Sequence, residues 1–193
     1  MKVLMADSLG FCFGVKRALE IAERALTRSS PLQMLGALIH NKAVVDRLAR
    51  QGLKTVSSLN EIERGGLVVR AHGVSQEVYE EASRRGLELV DATCPFVKKA
   101  QEAAALLVRE GYEVVLVGDR NHAEVKGIVS AAGADLHVVA SPNELPHFSR
   151  KTRVGLLFQT TKRSSLAPSF FEALFENCAE LRVVNTICRA TSD

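Results

Sequence analysis

Short apolar runs alternate with longer amphipathic stretches along the whole chain, and this alternation restricts the possible folds more than any other feature. Runs rich in Val, Ile and Leu are typical of strands buried on both faces, whereas apolar residues spaced three and four apart indicate helices. Repeated units of this kind form parallel sheets covered by helices. The sequence therefore predicts an α/β fold with mostly parallel sheets. The predicted strands are residues 3–6, 32–35, 67–71, 87–90, 114–117, 136–139, 154–158 and 182–184.

The amphipathic stretches predict helices over residues 15–27, 97–110 and 168–178. No linker rich in Ser, Gly or Pro divides the chain, so a domain boundary must fall at a tight connection. We place this boundary near Pro95. The prediction is a first α/β lobe over residues 1–95 and a second α/β lobe over residues 96–193.

Charge and cysteine usage argue against several classes of protein. The 25 basic and 22 acidic residues are spread along the chain, without the run of like charges that marks a nucleic-acid-binding arm. Apolar runs are too short for a membrane span or a secretory signal, so we predict a cytoplasmic protein with no membrane partner. The four cysteines form no CxxC pair, which argues against a disulfide framework and against a ribbon-type zinc site.

Polar or glycine-containing segments follow many of the predicted strands. In open α/β sheets, ligands bind at the carboxyl ends of strands, where loops carry the chemistry and helix N-termini point inward. The sequence therefore predicts one functional site where these segments meet. They are residues 10–14, 71–74, 91–95, 121–124, 159–161 and 185–188, together with His40 and Asn41 at the head of a further helix.

Three of the four cysteines, Cys12, Cys94 and Cys188, lie in these segments, whereas Cys178 ends a predicted helix and is interpreted as structural. If three thiolates converge, they suit a [4Fe–4S] cluster with one iron that has no protein ligand, because each thiolate occupies one corner. Zinc held by three thiolates and one water is the competing interpretation, and buried cysteine can also be a simple hydrophobe.

His40, His72 and His122 each lie near a strand end or a helix start. Three imidazoles beside helix N-termini would bind a diphosphate, although a lone histidine in a loop is commonly structural. Glu124 follows in a first helical turn, where it is either a general acid or a carboxylate that stabilises the helix dipole. Thr160 either takes part in the site or caps the next helix.

Seven motifs, in this order, resemble the LytB/IspH family of 4-hydroxy-3-methylbut-2-enyl diphosphate reductases: GFCFGVKRA, HN, RAHGVS, DATCP, GDRNHAEV, FQTT and NTIC. The resemblance implies that Cys12, Cys94 and Cys188 hold a [4Fe–4S] cluster with one iron not ligated by protein. It further implies that His40, His72 and His122 bind the diphosphate. Glu124 would be the acid, and Thr160 would lie beside the substrate.

The implied reaction removes a hydroxyl from an allylic diphosphate as water, using two electrons and two protons, with ferredoxin or flavodoxin as the electron donor. Members of this family have three lobes around a central cluster, and this chain ends at Asp193, before the third lobe. We therefore expect weak or no turnover from the chain alone. The alternative is a non-catalytic remnant that binds a cluster, zinc or diphosphate. A dinucleotide-binding module is disfavoured because no GxGxxG loop is present.

Overall fold

The computed structural model describes residues 3–5, 9–28 and 31–191, and within them it contains two four-stranded parallel sheets. The strands are β1 Leu32–Leu35, β2 Leu53–Val56, β3 Gly66–Val69, β4 Glu88–Asp91, β5 Glu113–Val117, β6 His137–Val139, β7 Arg153–Phe158 and β8 Glu180–Val183. The first sheet has the strand order β2-β1-β3-β4 and the second has the order β6-β5-β7-β8, so both sheets share one topology. The prediction of two similar parallel α/β lobes is confirmed.

Helices connect the strands and cover both faces of each sheet. They are α1 Phe13–Leu26, α2 Lys42–Arg50, α3 Gln76–Arg84, α4 Pro95–Arg109, α5 Ala123–Ala132 and α6 Ala167–Phe175. Each sheet has one buried apolar cluster on either side, which explains why all four residues of the central strand β3 are buried. The predicted boundary at Pro95 falls at the first residue of α4, between the two sheets, and it stays a prediction.

The strand predicted over residues 3–6 is wrong for its described part. Val3, Leu4 and Met5 form no strand and have 72%, 81% and 80% of their surface exposed, while residue 6 lies outside the described residues. A strand is stable only with a hydrogen-bonded neighbour, and neither described sheet includes this segment. Apolar composition alone therefore misled the prediction.

Other boundaries shift by a few residues. The predicted helix over 168–178 ends at Phe175, so Cys178 follows α6 instead of ending it. Its side chain packs partly buried against the core of the second lobe. Among the described residues, the longest helices are too short or too polar to cross a lipid bilayer.

Candidate active site

Six of the eight predicted site residues line one cavity of about 170 Å³. All but Cys12 follow the carboxyl end of a strand, and Cys12 lies directly before α1. The strand order reverses beside β1 in the first sheet and beside β5 in the second, which opens the kind of crevice that ligands occupy in α/β proteins. The six are Cys12, Cys94, Cys188, His72, Glu124 and Thr160.

The three cysteines of the cavity come from separate elements. Cys12 and Cys94 are the N-cap residues of α1 and α4, and Cys188 follows β8. Backbone bonds fix two of them, because Cys94 N donates to Ala71 O at 2.9 Å and Cys188 N donates to Thr160 O at 2.8 Å. Burial raises the pKa of the Cys94 thiol, and the nearby sulfurs of Cys188 and Cys12 raise it further. The sequence-predicted convergence of these cysteines is present.

Close packing joins the start of α1 to the Cys94 loop. A Cβ atom built on Gly14 would lie 2.5 Å from Cys94 Sγ, so only glycine leaves room for this sulfur. Arg17 Nη1 donates to Thr93 O at 3.0 Å, across 76 residues of sequence. Arg17 therefore ties α1 to the loop that carries Cys94.

His40, His72 and His122 form a compact cluster. The ring centroids of His72 lie 4.6 Å from those of His40 and 5.5 Å from those of His122, and the rings of His40 and His122 are 6.1 Å apart. One nitrogen from each ring lies within 4.8 Å of the others. Burial, followed by the charges of His40, His122 and Arg70, lowers the pKa of His72 to about 4. The imidazole of His72 is therefore neutral at neutral pH.

The histidines meet because the two lobes are in contact directly behind His72. A Cβ atom on Gly127 of α5 would lie 3.5 Å from Val74 O and 3.9 Å from His72 O, so this helix packs on the backbone of the His72 loop. At the same seam, Gln76 N donates to Ser130 Oγ at 2.8 Å. The imidazole of His122 caps α5 by accepting a bond from Glu124 N at 3.2 Å.

Glu124 and Thr160 form a buried pair, with only 1% and 5% of their surfaces exposed. Thr160 N donates to Glu124 Oε1 at 2.6 Å, and Thr160 Oγ1 donates to Glu124 Oε2 at 2.9 Å. Burial raises the pKa of Glu124, although both bonds from Thr160 act in the opposite direction. Glu124 lies in the first turn of α5, but it is buried and bonded to Thr160, so it is more than a charge at a solvated helix end.

Sequence reasoning missed two residues that shape the site. Arg70 is partly buried two residues before His72, and Thr186 is buried two residues before Cys188. The hydroxyl of Thr186 accepts a bond from Phe158 N at 2.9 Å and donates to the carbonyl of the same residue, which ties the Cys188 loop to β7. Both residues lie inside the motifs RAHGVS and NTIC, but their types alone carry no sign of these contacts.

Comparisons with known proteins agree with this geometry. The family model described as "LytB protein" matches residues 3–193. A 4-hydroxy-3-methylbut-2-enyl diphosphate reductase of Geobacter sp. (strain M21) is 45% identical over 193 residues, which are 100% of this chain and 68% of that protein.

Two solved structures share the fold. One is described as the structure of (E)-4-hydroxy-3-methyl-but-2-enyl diphosphate reductase, the terminal enzyme of the non-mevalonate pathway. It is 37% identical to this chain and has a TM-score of 0.87. The match covers 97% of this chain and 68% of the chain in that structure. The other is E-1-hydroxy-2-methyl-but-2-enyl-4-diphosphate reductase from Plasmodium falciparum, which is 29% identical and has a TM-score of 0.88. The match covers 96% of this chain and 60% of the chain in that structure. Because the family model matches residues 3–193 and a relative is 45% identical over 193 residues, this chain belongs to the LytB family.

Proposed function

We propose that this chain takes part in the reductive dehydroxylation of 4-hydroxy-3-methylbut-2-enyl diphosphate to isopentenyl and dimethylallyl diphosphates, the last step of the non-mevalonate pathway. The observation that carries the proposal is one cavity lined by three cysteines, a histidine and a buried Glu–Thr pair. Each of these groups has a separate task in such a reaction. The names of the similar proteins indicate the same chemistry.

The donor set fits an iron–sulfur cluster. Three cysteine sulfurs surround the cavity and Cys178 lies elsewhere, which suits a [4Fe–4S] cluster with one iron left open for substrate. The absence of a side chain at Gly14 leaves space beside Cys94. Bound there, such a cluster supplies electrons and a Lewis-acidic iron, neither of which protein side chains provide.

The three imidazoles suit the diphosphate end of the substrate. Their ring nitrogens are close enough together to donate to neighbouring phosphate oxygens. Arg70 acts as a positive charge on His72 and His122, and Lys162 does so on His122. Asp119 acts on His122 in the opposite direction. Predominantly positive surroundings favour a polyanion over a metal cation at this cluster.

The buried Glu–Thr pair suits proton delivery. A carboxyl group whose pKa is raised by burial holds its proton closer to neutral pH, so Glu124 can act as a general acid. Thr160 Oγ1 lies 2.9 Å from this carboxylate and lines the cavity, so it can accept the proton from Glu124 while donating its own to the substrate hydroxyl. The hydroxyl then leaves as water.

The overall reaction needs two electrons and two protons for each water released. One proton completes the water, and the other goes to either end of the allylic carbon chain, which gives the two products. We propose ferredoxin or flavodoxin as the electron donor. The alternative function is binding without turnover, in which the same residues hold a cluster, zinc or a diphosphate.

Anaerobic reconstitution with iron and sulfide tests the metal half of the proposal. The expected content is about four iron and four sulfide per chain. Cys12→Ser, Cys94→Ser and Cys188→Ser should each lose most of it, whereas the control Cys178→Ser should retain it. One zinc per chain without sulfide would refute the cluster. Incubating the loaded chain with a strong reductant and the substrate then separates turnover from binding alone, because only turnover releases the two products.

A further inference from the structure

We propose that Arg70 is a further anion-binding group of the diphosphate site, acting together with the three histidines. The inference rests on the proposed function, since it adds a residue to the same anion site. It assigns a role to a charged side chain that neither the predicted ligand set nor the proton path uses.

The position of Arg70 is fixed by two contacts at the ends of neighbouring strands. Its Nε donates to Gly73 O at 3.3 Å. A Cβ atom on Gly36 would lie 2.7 Å from its Nη1, and Gly36 has a positive φ of 72°. The guanidinium therefore spans the loops that follow β1 and β3, which are the loops that carry His40 and His72. Glycine at position 36 provides the room that this placement needs.

Arg70 is also a partly buried cation without a carboxylate. Among the described residues it takes part in none of the ion pairs, whereas Arg47, Arg85 and Arg153 are each paired with a glutamate. Burial lowers the pKa of Arg70, and no acidic side chain of the described residues is among the causes of this shift. A partly buried charge costs free energy unless an opposite charge compensates it. A bound anion would supply that charge.

The surroundings indicate which anion this is. Arg70 is close enough to His72 and His122 for its charge to lower the pKa of both imidazoles. Arg70 thus lies near two imidazoles of the three-histidine cluster. Guanidinium groups bind phosphate oxygens through two parallel hydrogen bonds. We infer a ligand with several phosphate oxygens, such as the diphosphate group of the substrate.

Calorimetric titration of the chain with inorganic pyrophosphate tests this role. Arg70→Gln should weaken binding by about tenfold to hundredfold, because a charge-assisted hydrogen bond is lost. Arg70→Lys keeps the positive charge but loses the two parallel N–H donors of the guanidinium. Its affinity for pyrophosphate should therefore lie between those of Arg70→Gln and the unaltered chain. Arg64→Gln, which removes an exposed charge from the same lobe, is the matched control and should bind normally.

The outcomes separate this inference from the proposed function. If Arg70→Gln binds pyrophosphate as tightly as the unaltered chain while His72→Asn binds it weakly, the histidine site stands and the role of Arg70 is refuted. If the unaltered chain does not bind pyrophosphate, both the anion site and the inference fail, and the cluster is judged by its iron content. If both Arg70 variants lose thermal stability and reconstituted iron, Arg70 is a loop support and the inference is overturned.

Discussion

Gly14→Ala should remove the iron–sulfur cluster from a chain that still folds. The added methyl group would lie 2.5 Å from Cys94 Sγ and 3.4 Å from Cys94 Cβ. Ordinary contacts with a Cβ atom begin at 3.4 Å, so the sulfur has to move by about 1 Å, most easily by rotation about χ1. The backbone of α1 need not change, because alanine suits a helix better than glycine.

The expected cost in stability is small and the expected cost in ligand geometry is large. Crowding of a packed site costs about 1–3 kcal/mol, and replacing glycine inside a helix returns about 1 kcal/mol. The net loss in free energy of unfolding is therefore roughly 0–2 kcal/mol. Metal–ligand distances tolerate only about 0.2 Å, so a sulfur displaced by about 1 Å no longer holds its iron.

The assay combines urea unfolding with iron and sulfide analysis after anaerobic reconstitution. Gly155→Ala is the matched control, because its new Cβ would lie 2.8 Å from Leu107 Cδ1 in the core of the second lobe. It should lose comparable stability and keep its iron. Equal iron content in the unaltered chain, Gly14→Ala and Gly155→Ala would refute the reasoning that Gly14 makes room for a ligand sulfur.

Two further predictions concern pH. Because burial raises the folded-state pKa of Glu124, its contribution to stability is complete below the unfolded pKa near 4.5 and is lost as pH rises through the raised value. In urea unfolding, the free energy of unfolding of Glu124→Gln should therefore rise relative to that of the unaltered chain as the pH increases from about 4 to about 8. The exposed control Glu63→Gln should show no such rise. A difference between Glu124→Gln and the unaltered chain that does not change with pH would contradict this assignment. Because the pKa of His72 is lowered to about 4 by burial and by the charges of His40, His122 and Arg70, bound pyrophosphate should raise it. Calorimetric titration with pyrophosphate at about pH 5.5, in two buffers of different ionisation enthalpy, should then detect proton uptake on binding. His72→Asn should take up fewer protons. Equal binding heats in both buffers would exclude proton uptake by His72.

Sequence patterns predicted seven of the eight strands to within two residues and missed β2. Strands β3 and β7 were predictable because burial on both faces demands continuous apolar residues. The edge strand β2 was not predicted, since its two central residues, Lys54 and Thr55, are exposed. Only Leu53 and Val56 of β2 are buried, so its apolar pattern is too short to recognise.

The site residues themselves were predictable from motifs, but their interactions were not. The Glu124–Thr160 pair spans 36 residues of sequence and exists only because β5 and β7 are neighbours in the sheet. Arg70 could not be distinguished from an ordinary surface arginine, because two features set it apart: none of the described carboxylates pairs with it, and imidazoles lie nearby. Such features depend on tertiary packing, which residue types alone do not specify.

The shared strand order has an evolutionary consequence. The first strands of the two sheets, β1 and β5, lead to His40 and His122, and the last strands, β4 and β8, lead to Cys94 and Cys188. Equivalent positions of two matching halves thus supply equivalent chemical groups, as expected if one ancestral unit was copied and joined to itself. The third strands differ, because β3 leads to the imidazole of His72 and β7 leads to the hydroxyl of Thr160.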